Sequence, residues 1–198
     1  MNAIKKMWEA SATRREQSQI SAFMRFAHEK TGRNLASWQD LYRWSLDETA
    51  EFWGCLAEFT GIVWQEPPRD IYCNEKASML SASWFEGASL NFAENLLPAA
   101  SEQIVLTCIY ENKMRLCLSA RDLRQQVAAA QAALTRAGVR KGDYVAGVLC
   151  NGPEAIIAML ATASLGGVWC GVSPDFGVAA ILDRLQQLHP KVLFFAKG

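Results

Sequence analysis

Ser173, Pro174 and Asp175 are the residues whose types and spacing are best suited to binding a ligand, because they connect a predicted strand to a predicted helix. Backbone N–H groups at the start of a helix have no partner within the helix, and they bind anions such as phosphate. The acidic Asp175 opposes a bare phosphate at this position. The same residues also fit an ordinary helix start, in which Ser173 caps the helix, Pro174 is its first residue and Asp175 lies in the first turn. The pattern alone leaves both interpretations open.

Several common active-site motifs are absent from the sequence. It contains no G-x-x-x-x-G-K-[ST] phosphate loop, no G-x-G-x-x-G after a strand, no G-x-S-x-G and no H-E-x-x-H. The two histidines, His28 and His189, are predicted near helix ends, and the sequence shows no partner that would position either of them for catalysis. We interpret both as solvated residues.

The six cysteines form no C-x-x-C pair, and no histidine stands at ligand spacing beside one of them. Zinc sites are recognised by such spacing. We therefore expect six small buried hydrophobic residues in a reducing compartment rather than a metal or redox site. They are Cys55, Cys73, Cys108, Cys117, Cys150 and Cys170.

The segment before the Ser173 turn predicts the centre of a fold. Residues Glu154 to Leu165 are apolar on nearly every side, so a helix formed by them must be covered all round. Gly152-Pro153 starts this helix and Gly166-Gly167 stops it. Val168 to Val172 then reads as a buried strand, and loops that follow strands are where α/β proteins bind ligands.

From Ser119 onward, the pattern alternates between helix and strand. Ser119 and Asp122 open a striped helix that Gly138 closes, and the strand from Tyr144 to Cys150 follows. A helix from Val178 to Leu188 and a last strand from Val192 to Ala196 come after the Ser173 turn. This alternation predicts an α/β fold, the first βα units of a doubly wound, mostly parallel sheet with right-handed crossovers. A hairpin from Ile104 to Leu118 precedes it.

The N-terminal part predicts a helical layer rich in tryptophan and phenylalanine. A first helix reaches about Lys30, where Thr31-Gly32 ends it. Ser37 with Asp40, and Ser45 with Glu48, each have the spacing of a helix start. A helix that Gly61 ends follows the second of these pairs. We expect residues 65–81 to form an extended connector, and a short helix to lie at the end of the stretch from Ser83 to Leu97.

Composition limits the possible partners. Lys and Arg together number 20, as do Asp and Glu, so no net positive charge attracts nucleic acid or a membrane surface. No signal peptide or membrane-spanning stretch is visible, and we expect a cytoplasmic protein. Because the chain stops directly after a hydrophobic strand, we expect a remainder of the same protein to follow. Exposed strand edges would then make the fragment self-associate.

Several stretches of the chain together form a recognisable pattern. They are D-L-Y-R-W-S from Asp40, E-F-W from Glu51, F-T-G-I-V from Phe59, W-F-E-G-A-S-L-N-F-A-E-N-L-L from Trp84, G-V-R-K-G-D-Y-V-A-G from Gly138, A-M-L-A-T-A-S-L-G-G-V-W from Ala158 and S-P-D-F-G from Ser173. With them, the chain resembles the acyl-adenylate-forming enzymes related to acetyl-CoA synthetase, and within these the acetoacetyl-CoA synthetases. The similarity runs from Asp40 to about Ala196. S-P-D-F-G and A-E-N-L-L indicate the acetoacetate branch, since acetyl-CoA synthetases tend to have F-G-G-F-S at the corresponding turn.

The resemblance implies a two-step ligase. ATP and acetoacetate, with Mg²⁺ neutralising the phosphates, give an acyl-adenylate and pyrophosphate, and CoA then displaces AMP. It also implies that residues 1–97 are the helical N-terminal region and residues 98–198 the first part of a truncated AMP-binding domain. The phosphate loop and the catalytic lysine would lie further along the chain, so this fragment would be inactive alone. Ser173, Pro174, Asp175 and Arg184 would lie on the CoA side, since the corresponding turn of the acetyl-CoA relatives lies beside CoA.

Two other functions remain open at this stage. The chain could be a free-standing module that binds CoA or a nucleotide, and titration with CoA would separate this function from an incomplete enzyme. It could also belong to an acetyl- or propionyl-CoA synthetase, although S-P-D-F-G argues against that alternative.

Overall fold

A computed structural model describes residues 7–74 and 79–196 of the chain. Contacts between residues divide these into two compact units, one up to Ser89 and the other from Leu90 onward. Among the described residues, no helix is both long enough and apolar enough to cross a membrane.

The first unit is built on helices around an aromatic core. Its helices are α1 Ala12–Glu16, α2 Gln19–Thr31, α3 Trp38–Asp47 and α4 Thr49–Phe59. Gly32 ends α2 in the left-handed conformation, as predicted. The buried core residues of this unit are Phe23, Ala27, Trp44 and Cys55.

One of the two predicted helix starts in this unit is confirmed and the other is wrong. Ser37 and Asp40 form a reciprocal capping box at the start of α3. Ser45, by contrast, lies inside α3, where its hydroxyl donates to the carbonyl oxygen of Tyr42 at 2.7 Å. Glu48 does not reach back to Ser45, because its carboxylate forms an ion pair with Arg33 instead.

The predicted connector contains regular structure that the sequence pattern did not reveal. Strand β1, Asp70–Cys73, pairs antiparallel with β2, Ser83–Glu86, and a short 3-10 turn spans Met79–Ser81. Both strands have only four residues, too few to show a clear alternation of apolar and polar side chains.

The second unit begins with a short helix and a hairpin. Helix α5, Phe92–Leu96, is the predicted short helix. Strands β3, Ile104–Ile109, and β4, Arg115–Ser119, form the predicted antiparallel hairpin. Helix α6, Ala120–Arg136, follows directly and has the predicted capping box between Ser119 and Asp122.

A three-stranded parallel sheet follows, and it confirms the α/β fold class. Its elements are β5 Tyr144–Val148, α7 Pro153–Ser164, β6 Val168–Val172, α8 Val178–Leu188 and β7 Val192–Phe195. The strand order is β6-β5-β7, so β5 lies in the middle and pairs in parallel with both neighbours.

Helix α7 has the covered environment that its apolar sequence predicts. Among its residues, only Glu154 is classed as exposed. Gly152 precedes the helix and Pro153 is its first residue, as predicted. The buried residues Ile157, Leu160 and Ala161 belong to the core of the second unit.

The expectation that all six cysteines are buried is wrong. Only Cys55 is buried, whereas Cys117 on β4 and Cys150 after β5 are exposed. The outer part of the short β3–β4 hairpin is open to solvent, so a hydrophobic residue type does not ensure burial there. All six cysteines are free thiols.

Candidate turn at the carboxyl edge of the parallel sheet

Two connecting segments lie side by side where the parallel strands end, an edge we call the carboxyl edge. Val148 of β5 is in register with Val172 of β6, and the N–H of Leu149 donates to the carbonyl oxygen of Val172 at 3.3 Å. The segments 149–152 and 173–177 therefore emerge next to each other. In open α/β sheets, ligands bind in crevices at this edge.

The Ser173 segment is a polar turn closed by its own side chains. The Ser173 hydroxyl donates to Asp175 Oδ2 at 2.9 Å and accepts a bond from the Asp175 backbone N–H at 3.3 Å. The N–H of Phe176 donates to the carbonyl oxygen of Ser173 at 3.3 Å. The turn therefore holds the Asp175 carboxylate close to the end of β6, while Pro174 and Asp175 stay exposed.

The interpretation of Ser173 as a helix cap is wrong. Helix α8 begins at Val178, its N-cap residue is Gly177, and no side chain caps it. The hydroxyl of Ser173 is used within the turn instead, and Pro174 and Asp175 precede the helix. Because α8 starts at Val178, where the apolar stripe predicts it, its free N–H groups do not belong to Ser173, Pro174 or Asp175.

Arg184 is brought to the same turn through Phe176. The guanidinium carbon of Arg184 lies 4.6 Å from the centroid of the Phe176 ring. One of its nitrogens, Nη1, donates to the carbonyl oxygen of Ala180 at 3.0 Å. The structure thus gathers an acidic group, a hydroxyl and a guanidinium around one turn, and the sequence pattern had not indicated Phe176 as the link.

A second polar group lies at the neighbouring segment. Gly152 is buried, and a Cβ atom placed on it would lie 2.6 Å from Glu154 Oε2 and 4.0 Å from Tyr110 Oη. The Glu154 carboxylate and the Tyr110 hydroxyl therefore both lie close to the backbone of this segment. Burial raises the pKa of the Tyr110 hydroxyl, and the negative charge of Glu154 raises it further, so this hydroxyl remains a hydrogen-bond donor at neutral pH.

A tryptophan side chain covers the middle of the parallel sheet, a feature that the sequence pattern did not predict. The Trp169 indole lies across Gly147 in the middle of β5, so that a Cβ on Gly147 would overlap the ring and lie 2.9 Å from Cζ2. Trp169 also packs near Phe194, with ring centroids 6.2 Å apart. A glycine inside a predicted strand was the available signal, since it often marks such a close approach.

The parallel strands begin at the opposite edge of the sheet, which we call the amino edge. Hydrogen bonds between residues that are distant in the sequence stabilise this edge. Lys191 Nζ donates to the carbonyl oxygen of Gly138 at 2.6 Å and to Asp143 Oδ2 at 2.9 Å. Asn91 Nδ2 donates to the carbonyl oxygen of Ala163 at 3.0 Å, at the end of α7. Asp143 belongs to the K-G-D stretch and Asn91 to the A-S-L-N-F stretch, so these bonds give both stretches a structural role.

In the described ranges, no group of three or more His, Cys, Asp or Glu side chains could hold a metal ion.

Comparison with known proteins identifies this architecture. The family model described as "AMP-binding enzyme" matches residues 102–197. The model described as "Acetyl-coenzyme A synthetase N-terminus" matches residues 38–96. The two matches lie next to each other along the chain, in the order of the two compact units.

Individual relatives match over nearly the whole chain. An acetoacetyl-CoA synthetase of Macaca fascicularis is 37% identical over 190 residues, which are 95% of this chain and 28% of that protein. A malonamoyl-CoA synthetase of Penicillium aethiopicum is 36% identical over 95% of this chain and 27% of its own length. The solved structure of an acetoacetyl-CoA synthetase from Streptomyces lividans superposes with a TM-score of 0.88 at 38% identity, covering 97% of this chain and 30% of that one.

The structure therefore has part of the fold of a solved acetoacetyl-CoA synthetase, and the AMP-binding model matches its second compact unit. Among individual proteins, the chain is similar over most of its length to acetoacetyl-CoA synthetases of several organisms. It spans 28% of the length of the first curated relatives that it matches.

Proposed function

We propose that the protein containing this chain is an acid–thiol ligase that joins acetoacetate to CoA. ATP and acetoacetate form an acetoacetyl-adenylate and release pyrophosphate. The CoA thiol then attacks the acyl carbon, and AMP leaves. Adenylation is needed because a carboxylate oxygen is a poor leaving group, whereas AMP is a good one. The observation that carries this proposal is the match to the Streptomyces lividans acetoacetyl-CoA synthetase, with a TM-score of 0.88 over 97% of the chain.

We further propose that the chain contributes to the CoA side of this reaction. The candidate residues are Ser173, Pro174, Asp175 and Arg184. Their position at the carboxyl edge supports this assignment, because the turn offers an exposed carboxylate and also contacts a guanidinium through Phe176. CoA carries both anionic phosphates and neutral amide and amine donors, so a turn with both charge types suits it.

The rest of the machinery is assigned to the remainder of the protein. Residues 1–97 would be the N-terminal region and residues 98–198 the first part of the AMP-binding domain. The sites for ATP with its Mg²⁺ and for the acyl carboxylate would lie outside these residues. The matched length of only 28% of the relatives supports this division. The 198-residue chain alone is therefore expected not to release pyrophosphate from ATP when acetoacetate is added.

A physical consequence concerns the remainder as a partner. Phe195 on β7 is 71% exposed and Val178 on α8 is 74% exposed, although both are apolar. Such surfaces associate when their partner is missing. We expect light scattering of the isolated chain to show oligomers. A monomer at high concentration would contradict the proposal that the remainder of the protein covers the surface around Phe195 and Val178.

The test of the main proposal uses protein expressed from the complete reading frame that contains this chain. Formation of AMP and pyrophosphate is measured with ATP, CoA and one acid at a time: acetoacetate, malonamate, acetate or propionate. The proposal expects the highest kcat/KM with acetoacetate. Activity that prefers acetate or propionate would contradict it, and CoA binding without any ligation would favour a binding module.

A second candidate is ligation of malonamate, because a relative named malonamoyl-CoA synthetase is 36% identical over 95% of the chain. Acetoacetate and malonamate are both short acids with a second carbonyl group at the third carbon. A higher kcat/KM for malonamate in the same assay would select this candidate.

A further inference from the structure

Within residues 7–74 and 79–196, the guanidinium of Arg184 forms no ion pair. Its Nη1 donates to the carbonyl oxygen of Ala180, a neutral acceptor. Among the ion pairs found between described residues, none includes Arg184, although Asp175 belongs to the turn that Phe176 joins to Arg184. A guanidinium has five N–H donors, so the side chain retains donors for an anionic ligand.

Phe176 accounts for this position of Arg184. The Phe176 side chain is 46% exposed and is not among the residues that pack on the core of the second unit. Its specific contact is the Arg184 guanidinium, 4.6 Å from the ring centroid. An arginine side chain loses much rotamer freedom when it is held in one place, and stacking on a ring reduces the further loss on binding.

The stacked position also keeps two opposite charges apart. If Arg184 turned to the Asp175 carboxylate, each group would neutralise the other and neither would be available to a ligand. Asp175 instead accepts from the Ser173 hydroxyl at 2.9 Å. The turn therefore presents an acidic face and a basic face separately.

We propose that Phe176 is a positioning residue that holds the guanidinium of Arg184 ready for a phosphate group of CoA at this turn. This inference rests on the proposed function, because it takes CoA as the ligand. It adds the role of Phe176 and assigns the phosphate to Arg184 rather than to the acidic part of the turn.

The test compares Phe176→Leu, Phe176→Tyr, Arg184→Met and the double variant Phe176→Leu/Arg184→Met in protein from the complete reading frame. We expect Phe176→Leu to raise the KM for CoA about 2- to 5-fold, the range of an exposed cation–π contact. Phe176→Tyr, which keeps an aromatic ring, should retain the KM of the unaltered protein. In the double variant, Phe176→Leu should add nothing to Arg184→Met.

A second measurement replaces CoA by pantetheine, which has the same thiol but no phosphate. The KM for pantetheine should be equal in the unaltered protein and Phe176→Leu. The KM for acetoacetate serves as an internal reference, and circular dichroism checks that each variant is folded.

The inference is overturned if Phe176→Tyr is as impaired as Phe176→Leu, if the effect persists with pantetheine, or if the two single effects add in the double variant. An active ligase whose KM for CoA is the same in all four variants would overturn the inference and leave the proposed function intact. Absence of acetoacetate-dependent activity in the unaltered protein would overturn both.

Discussion

The two edges of the parallel sheet are built in different ways. At the amino edge, Lys191 and Asn91 donate hydrogen bonds to groups that are distant in the sequence. At the carboxyl edge, the bonds of Ser173 and Arg184 reach only residues close in sequence, and charged groups stay exposed. Bonds between distant segments stabilise the fold, whereas unpaired groups on a local turn are available to a ligand. This contrast predicts that changes at the amino edge alter stability and changes at the carboxyl edge alter binding.

The largest effect on stability is expected in the middle of the parallel sheet, between the two edges. Gly147→Val would place side-chain atoms where the Trp169 indole lies, and overpacking of this kind destabilises a fold by about 1–3 kcal/mol. Urea unfolding followed by tryptophan fluorescence measures the loss. Gly171→Ala is the matched control, since its Cβ would lie 3.4 Å from Trp169 Nε1, an ordinary contact. Equal losses in the two variants would contradict the described position of the indole.

At the amino edge, Asn91→Ala is expected to destabilise the protein by about 0.5–2 kcal/mol, the usual effect of losing a helix cap. Asn91 Oδ1 accepts from the N–H of Glu94 at 3.1 Å at the start of α5, and Asn91 Nδ2 donates to the last turn of α7. Asn91→Asp keeps the first bond and loses the second. Chemical denaturation should therefore give Asn91→Asp a stability between that of Asn91→Ala and that of the unaltered protein. If Asn91→Asp is as stable as the unaltered protein, the contact with α7 contributes nothing to stability.

A smaller, pH-dependent effect is expected at Asp143. Bonds from Lys191 and from the N–H of Arg140 lower the pKa of the Asp143 carboxyl below its ordinary value of 3.8. Because the pKa is lower in the folded state, the stabilisation is complete above the unfolded-state value and is lost as the pH falls towards the folded-state value. Asp143→Asn should lower the Tm at neutral pH and differ less from the unaltered protein in acid. A Tm difference that stays constant down to pH 3 would disagree with this linkage.

The smallest effect on stability is expected at the carboxyl edge. Ser173→Ala and Asp175→Asn alter an exposed turn, so each should change the free energy of unfolding by less than about 0.5 kcal/mol. If the turn lies on the CoA side, both should nevertheless change the KM for CoA, measured in protein from the complete reading frame. Large losses of stability with an unchanged KM would reverse the assignment of the two edges.

Local signals predicted much of this fold. Ser119 with Asp122 and the apolar run that forms α7 gave the correct elements, because caps and helix burial depend on neighbouring residues. The same spacing failed at Ser45 with Glu48, since Arg33 takes the Glu48 carboxylate. Competition from a distant residue is not visible in a short window of sequence.

The position of the candidate site was predicted from the sequence, but its internal geometry was not. The Ser173 turn could be placed after a strand because β6 was recognisable. The start of α8 at Val178 was predicted, but the stacking of Arg184 on Phe176 depends on how two side chains are oriented around that start, which the spacing does not specify. The cover of Gly147 by Trp169 depends on strand register, which a single sequence does not specify.

The strand order β6-β5-β7 has a consequence for the way the chain is made. β5 is synthesised first, yet both of its neighbours come from residues further along. β5 therefore leaves the ribosome before either of its pairing strands. It stays unpaired until β6, and later β7, has been synthesised and pairs with it. The sheet grows outward from its oldest strand, so interruption of synthesis before Val168 would leave that strand, with its buried Val145 and Ala146, open to other nascent chains.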